Sequence, residues 1–188
     1  MSTAADQATI DDLVGNAHGN AARVREILEE HPELVNAVAT WQETPIQAAA
    51  QMGNRAILEM LLGLGAPLDC YTAAALGRAG EVREFLASQP VLATGTGVHG
   101  LPALYFAAVG NSVETAELFR RHGADVNAGA GGNTPLHGAA MLGNREMTAW
   151  LLQNGADPTL TDYEHKTPLE RAVGGGHAEV AGLLRERL

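Results

Sequence analysis

The chain has 188 residues, 46% of them hydrophobic but only 4% aromatic, and carries twelve Lys and Arg against twenty-two Asp and Glu for a formal charge of -10. That sign opposes the neutralisation of phosphates and release of counterions, which sets nucleic acid aside as a partner, and a single cysteine, Cys70, can make neither an internal disulfide nor a thiolate zinc site. Met1 to Ile10 hold no basic start with an apolar stretch, and no run nears the roughly eighteen apolar residues of a membrane span, so one cytoplasmic domain, 1–188, with no membrane partner is expected.

Residues 1–8 are expected to be loose. The first unit, about 10–36, turns at Gly19 and continues in an apolar stretch, Val24 to Leu28, at helical spacing. A second unit, about 41–66, opens on Thr44-Pro45-Ile46-Gln47-Ala48-Ala49-Ala50. Threonine ahead of proline offers a side-chain oxygen to the free amides of a first turn, and proline brings a preset φ where no amide partner is needed, so the segment starts a helix. Gly53 turns the chain, and Arg55 to Leu64, with leucines at helical spacing, forms an antiparallel second helix.

The third unit, about 69–92, turns at Gly77, and 77 minus 53 is 24 residues, nine short of the 33 that separate Thr134 from Thr167. The missing piece is the loop between Leu68 and Tyr71. The fourth unit, about 100–125, contains Pro102-Ala103-Leu104-Tyr105-Phe106-Ala107-Ala108, turns at Asn111 and continues in Val113 to Arg121. Before it, the glycines of Ala93 to Gly100 predict a mobile, slightly enlarged loop. A phosphate-binding loop would need a lysine and a following hydroxyl that are absent, both here and in Ala128 to Gly132.

The fifth unit, about 133–157, repeats the template as Thr134-Pro135-Leu136-His137-Gly138-Ala139-Ala140 and ends in Gly155-Ala156-Asp157, as the fourth ends in Gly123-Ala124-Asp125. The closing unit, about 166–188, opens on Thr167-Pro168-Leu169-Glu170-Arg171-Ala172 and turns at Gly176. Gly174 and Gly175 fall in its first helix, where each costs roughly 1 kcal/mol relative to alanine, so this end is expected to fray.

Helix starts of the Thr-Pro-Leu-His type, paired alanines and Gly-Ala-Asp ends in register resemble the ankyrin-repeat family over nearly the whole chain. The resemblance implies an all-α ankyrin-repeat solenoid of about six helix-turn-helix units, whose first and last units act as caps. It implies hairpin-like finger loops along one edge, with one finger deleted near residues 68–71 and the row interrupted between the second and third units. It also gives His137 a structural role, tying loop to helix. The equivalents of His137 are Gln47, Tyr71, Tyr105 and Glu170, so neighbouring units offer no matching imidazole for a metal or a base.

Ser2, Ser88 and Ser112 stand in no recognisable nucleophile frame, so no catalytic residue, cofactor or metal is expected. Members of the family bind other proteins through finger tips and the exposed face of the first helices. Those positions are here Gln51, Met52, Leu76, Val109, Met141 and Leu142 behind the alanines, and Trp41, Glu43, Val98, His99, Leu101, Tyr163, Glu164 and Lys166 ahead of the helix starts. Large apolar residues facing water mark interaction sites, so Met52, Leu76, Val109, Met141 and Leu142 predict a stripe, with Trp41 as an aromatic anchor. Mutual burial of Leu76 and Val109 between adjacent units is the open alternative. The reading is a monomeric module that binds another protein. Two alternatives stay open: a homo-oligomeric scaffold whose stripe meets its own copy, and an enzyme or small-ligand binder using the gap near Asp69, Cys70 and Tyr71.

Overall fold

The computed structural model describes residues 6–188. The looseness expected of residues 1–8 falls in part outside the described residues, and the remainder is corrected. Asp6 caps the first helix by accepting the Thr9 amide at 2.9 Å, and Gln7 and Ala8 are already helical.

The described chain forms twelve α-helices in six consecutive pairs and no strand, with one isolated bridge between Thr96 and Pro102. The pairs are α1 (Gln7–Ala17) with α2 (Ala21–Glu30), α3 (Pro45–Gln51) with α4 (Arg55–Gly63) and α5 (Cys70–Ala75) with α6 (Ala79–Ser88). They continue with α7 (Ala103–Val109) and α8 (Val113–Arg121), α9 (Pro135–Met141) and α10 (Arg145–Gln153), and α11 (Pro168–Gly174) and α12 (Ala178–Arg185). Thr44, Thr134 and Thr167 each form a capping box with Gln47, His137 or Glu170, so the helix starts follow from the sequence signal. Asp69 does the same work for α5, accepting the Thr72 amide at 2.6 Å.

The core runs the length of the stack. Its narrow part is alanine: Ala48 to Ala50, Ala73 to Ala75, Ala107, Ala108, Ala139 and Ala140 are buried between first helices, while Leu13, Ile57, Leu86, Phe119 and Leu151 fill the layer between first and second helices. At Gly110 even a methyl group is too much, since a Cβ there would stand 2.8 Å from the Ala75 carbonyl oxygen.

Four finger turns share a tight closing bond, and three of them add a second. The amides of Ala39, Gly97 and Asp162 donate to the carbonyls of Glu43, Leu101 and Lys166 at 2.8, 2.8 and 2.9 Å, and the amides of Gln42, Gly100, Gly132 and His165 close the tight turns. Between α4 and α5 only residues 64–69 remain, where the other connections use 31–44, 89–102, 122–134 and 154–167. With that finger gone the second and fourth units meet directly: the Tyr105 hydroxyl donates to the Gln51 carbonyl at 3.2 Å.

Two expectations about glycine change. The loop before α7 is packed: a Cβ on Gly95 would stand 2.6 Å from the Tyr71 hydroxyl, and one on Gly97 would stand 2.7 Å from the Phe106 ring. These glycines let the fourth finger lie flat on two aromatic rings. At the far end, α11 stops at Gly174, and Gly175 makes room for the His177 imidazole, whose Nε2 lies 2.9 Å from the Met141 carbonyl. The glycines there seat a side chain across two units. Gly174 itself meets nothing within 4 Å, and nothing in the structure accounts for it.

The last finger is tied by Asp162, which is 2% exposed and accepts the Glu164 and Lys166 amides at 2.8 and 3.0 Å and Arg171 Nε at 2.5 Å. Burial alone would raise this carboxyl, but Arg171 and the two amides outweigh it and hold it below the ordinary carboxylate range.

Gly110→Ala is expected to destabilise the chain by about 2 kcal/mol through overpacking, whereas Gly15→Ala, in α1 with open space around it, gains about 0.5–1 kcal/mol; urea denaturation measures both. Arg171→Ala, which strands a buried carboxylate, should cost about 3 kcal/mol at neutral pH. A group with a depressed folded pKa contributes stability above its unfolded value, about 3.9, and loses it as pH falls through the lower folded value. The gap between wild type and Arg171→Ala should therefore close below about pH 3, as measured by melts across pH.

Candidate functional site

The absent finger leaves a cleft of about 470 Å³. Trp41 and Gln42, from the second unit's finger, form one wall. Thr96 to His99, from the fourth unit's, form the other, and Gln47, Asp69, Tyr71, Thr72 and Phe106 lie between. Tyr71 and Phe106 stack with ring centroids 5.4 Å apart, under the glycines that hold the fourth finger close. The second finger is fixed from behind, because Asp11 of α1 accepts the Thr40 amide at 2.9 Å.

Behind the Trp41 wall stands a carboxylate with no exposed surface, that of Glu43. Trp41 Nε1 donates to its Oε2 at 2.7 Å, and the Gln51 amide donates to its Oε1. His18 Nε2 lies 3.6 Å from Oε2, and His99 Nε2 lies 3.5 Å from Oε1. Two donors, from its own finger and the end of α3, thus bind this side chain, and imidazoles from the end of α1 and from the fourth finger stand beside it, so the gap in the row is spanned at its base.

The sequence reading placed Glu43 and Leu101 on the partner surface, and the structure corrects both. They occupy the same step of the finger turn, which directs the side chain into the stack, so Glu43 is fully buried and Leu101 is 6% exposed. Leu76 at 1% and Val109 at 4% exposure are buried as well and form no part of that surface. The alanine contacts and the meeting of units two and four close over them, which breaks the expected continuous stripe. Met52, Met141 and Leu142 remain half-buried, as do Gln51 and Val98.

The remaining residues fall into two groups. Trp41, 42% exposed, gathers with Val98 and His99 around the cleft. Met141 and Lys166 share a second cleft, of about 420 Å³, with Glu170 and Arg171. Beside it Tyr163 is 65% exposed under the Arg171 guanidinium, and Lys166 pairs with Glu164 at 2.8 Å. His18 was missed: a lone histidine ending a helix carries no sign of its partner until the finger turn aims Glu43 at it.

Burial, then the neighbouring Asp69 charge, pushes the Cys70 thiol up to about 12, far from the thiolate a nucleophile needs. Burial pushes His137 below its ordinary value, so it is a neutral tie between Thr134 and the Lys166 carbonyl, the latter 3.0 Å from its Nε2. Among the described residues no group of three His, Cys, Asp or Glu is placed to hold a metal ion, and no helix is long and apolar enough to cross a membrane. Glu43→Ala, which leaves the Trp41 indole N–H and the Gln51 amide without an acceptor, should cost about 2 kcal/mol. A red shift of Trp41 emission, measured against a Trp150→Phe background, is expected with it.

A model of three ankyrin repeats matches residues 71–162 and again 132–187, and a single ankyrin repeat matches residues 41–73. The chain is similar to Ankyrin repeat and SOCS box protein 11 of Danio rerio, at 34% identity over 127 residues, 68% of this chain and 35% of that protein. It is also similar to the Nuclear factor NF-kappa-B p105 subunit of Gallus gallus, at 28% over 190 residues, 89% of this chain and 19% of that protein. A third relative is Ankyrin repeat protein nuc-2 of Neurospora crassa, at 29% over 159 residues, 84% of this chain and 13% of that protein. The chain thus corresponds to about a third or less of each relative's length. Matched in register from residue 41 to residue 187 and built as a stack of paired helices, it belongs to the ankyrin-repeat family, whose repeats are protein–protein interaction modules.

Proposed function

We propose that this chain is a monomeric, cytoplasmic module that holds another protein against the concave face formed by its finger tips and first helices. The observation that carries the reading is the pair of aromatic side chains left outside a complete core, Trp41 at 42% and Tyr163 at 65% exposure, each on a finger and each beside a cleft. Aromatic anchors next to concave surface are the usual centres of binding energy. Trp41 is held in place by Glu43, so little side-chain entropy opposes its use.

Charge supports the same reading. A net charge of -10 steers an approaching basic patch and repels other acidic surfaces. The buried, protonated Cys70 suits a reducing compartment. Loss of Leu76 and Val109 from the accessible face moves the contact outward, onto the fingers and the half-buried Met52, Met141 and Leu142.

Once the partner has been captured from native extract and identified, Trp41→Ala and Tyr163→Ala are each expected to weaken its binding by about tenfold or more. Leu64→Ala, 48% exposed and grouped with residues of the second helices α2 and α4, should leave binding unchanged. Equal binding by all three variants rejects this face. Light scattering is expected to give 19.6 kDa at every concentration; a mass that rises with concentration, and no longer rises in Trp41→Ala, would replace the reading with a homo-oligomeric scaffold.

A further inference from the structure

The cleft at the absent finger has a lining that selects what enters it. Two aromatic side chains keep open surface in it: the Trp41 indole at the rim and, further in, the half-buried Tyr71 ring, which is backed by the buried Phe106. None of the residues lining it is Lys or Arg. Its exposed charge is Asp69, whose Oδ1 accepts the Thr72 amide at 2.6 Å and whose Oδ2 has no hydrogen-bond partner among the described residues. Aromatic faces beside an open carboxylate oxygen, on a chain of charge -10, complement a planar cation. A guanidinium stacks on such rings and offers paired N–H donors to a carboxylate, while an ammonium is a compact, strongly hydrated charge that gains less from flat walls.

A volume of about 470 Å³ exceeds what one side chain fills, and the excess lies between two finger turns where every other junction of the stack has a finger. An extended segment of a bound protein can lie in that lane and direct one side chain inward. The receiving walls are preset, since Glu43 fixes the indole at 2.7 Å and Gly95 and Gly97 clamp the fourth finger on the rings.

We propose that this cleft is the seat of a single arginine side chain, presented by an extended segment of the bound protein that takes the place of the absent finger, with its guanidinium on the aromatic walls and bonded to Asp69. The proposal rests on the protein-binding reading above.

The test is an NMR titration of the full chain with N-acetyl-arginine amide, N-acetyl-lysine amide and N-acetyl-citrulline amide, the last being isosteric with arginine but uncharged. Arginine is expected to give saturable shifts confined to the Trp41 indole N–H and the amides of Tyr71, Thr72 and His99. Lysine and citrulline should respond about fivefold more weakly or less. Asp69→Asn, which keeps a good helix cap and therefore the rest of the spectrum, should weaken the arginine response by a similar factor. Shifts that never saturate and spread over the acidic surface, an equal response to lysine or citrulline, or an Asp69→Asn response equal to wild type would each overturn the proposal. Any of these leaves the protein-binding reading in place, because that reading is tested separately, by binding of the captured partner to Trp41→Ala and Tyr163→Ala and by the mass in solution.

Discussion

The first helices of this stack lie close against each other because most of the side chains at their closest approach are no larger than a methyl group. Alanines at 48–50, 73–75, 107–108 and 139–140 set that spacing, and Gly110 tightens it where α7 meets the end of α5. The second helices carry leucine, isoleucine and phenylalanine, which fill the layer behind that contact.

That close packing decides which side chains remain available. Where units close most tightly, apolar residues that follow the alanines are covered, as Leu76 and Val109 are. The fingers project beyond the close contact and keep Trp41 and Tyr163 outside. Electrostatics then secures the fingers rather than the helices: Glu43 and Asp162 are both buried carboxylates, and each satisfies its oxygens with donors drawn from its own finger and from an adjoining helix. Such fully satisfied networks fix geometry more than they add net stability.

Much of this was legible in the chain itself. Thr-Pro starts, glycine turns and a spacing of 33 are local signals, and local signals determine helix ends and unit order. The shortened third unit was visible for the same reason, as arithmetic on turn positions. What was hidden depends on contacts between residues far apart in the chain. Glu43 looked like a finger-tip acid because no local pattern says that His18, Gln51 and His99 will surround it. Gly95 and Gly97 read as looseness because the rings they lie on, Tyr71 and Phe106, belong to other helices. Leu76 and Val109 were divided between two readings, and only the approach of one unit to another settles such a case.

Repeat arrays are ordinarily chains of nearest neighbours, in which each unit senses only the ones beside it and either end can peel away stepwise. The bond from the Tyr105 hydroxyl to the Gln51 carbonyl, and the reach of His99 to Glu43, break that rule by joining units two and four across the third. The middle of the molecule is consequently braced as one block of three, while the outer pairs keep the independence of a linear array. Pulling from either terminus would release the ends first and then meet a segment that yields all at once.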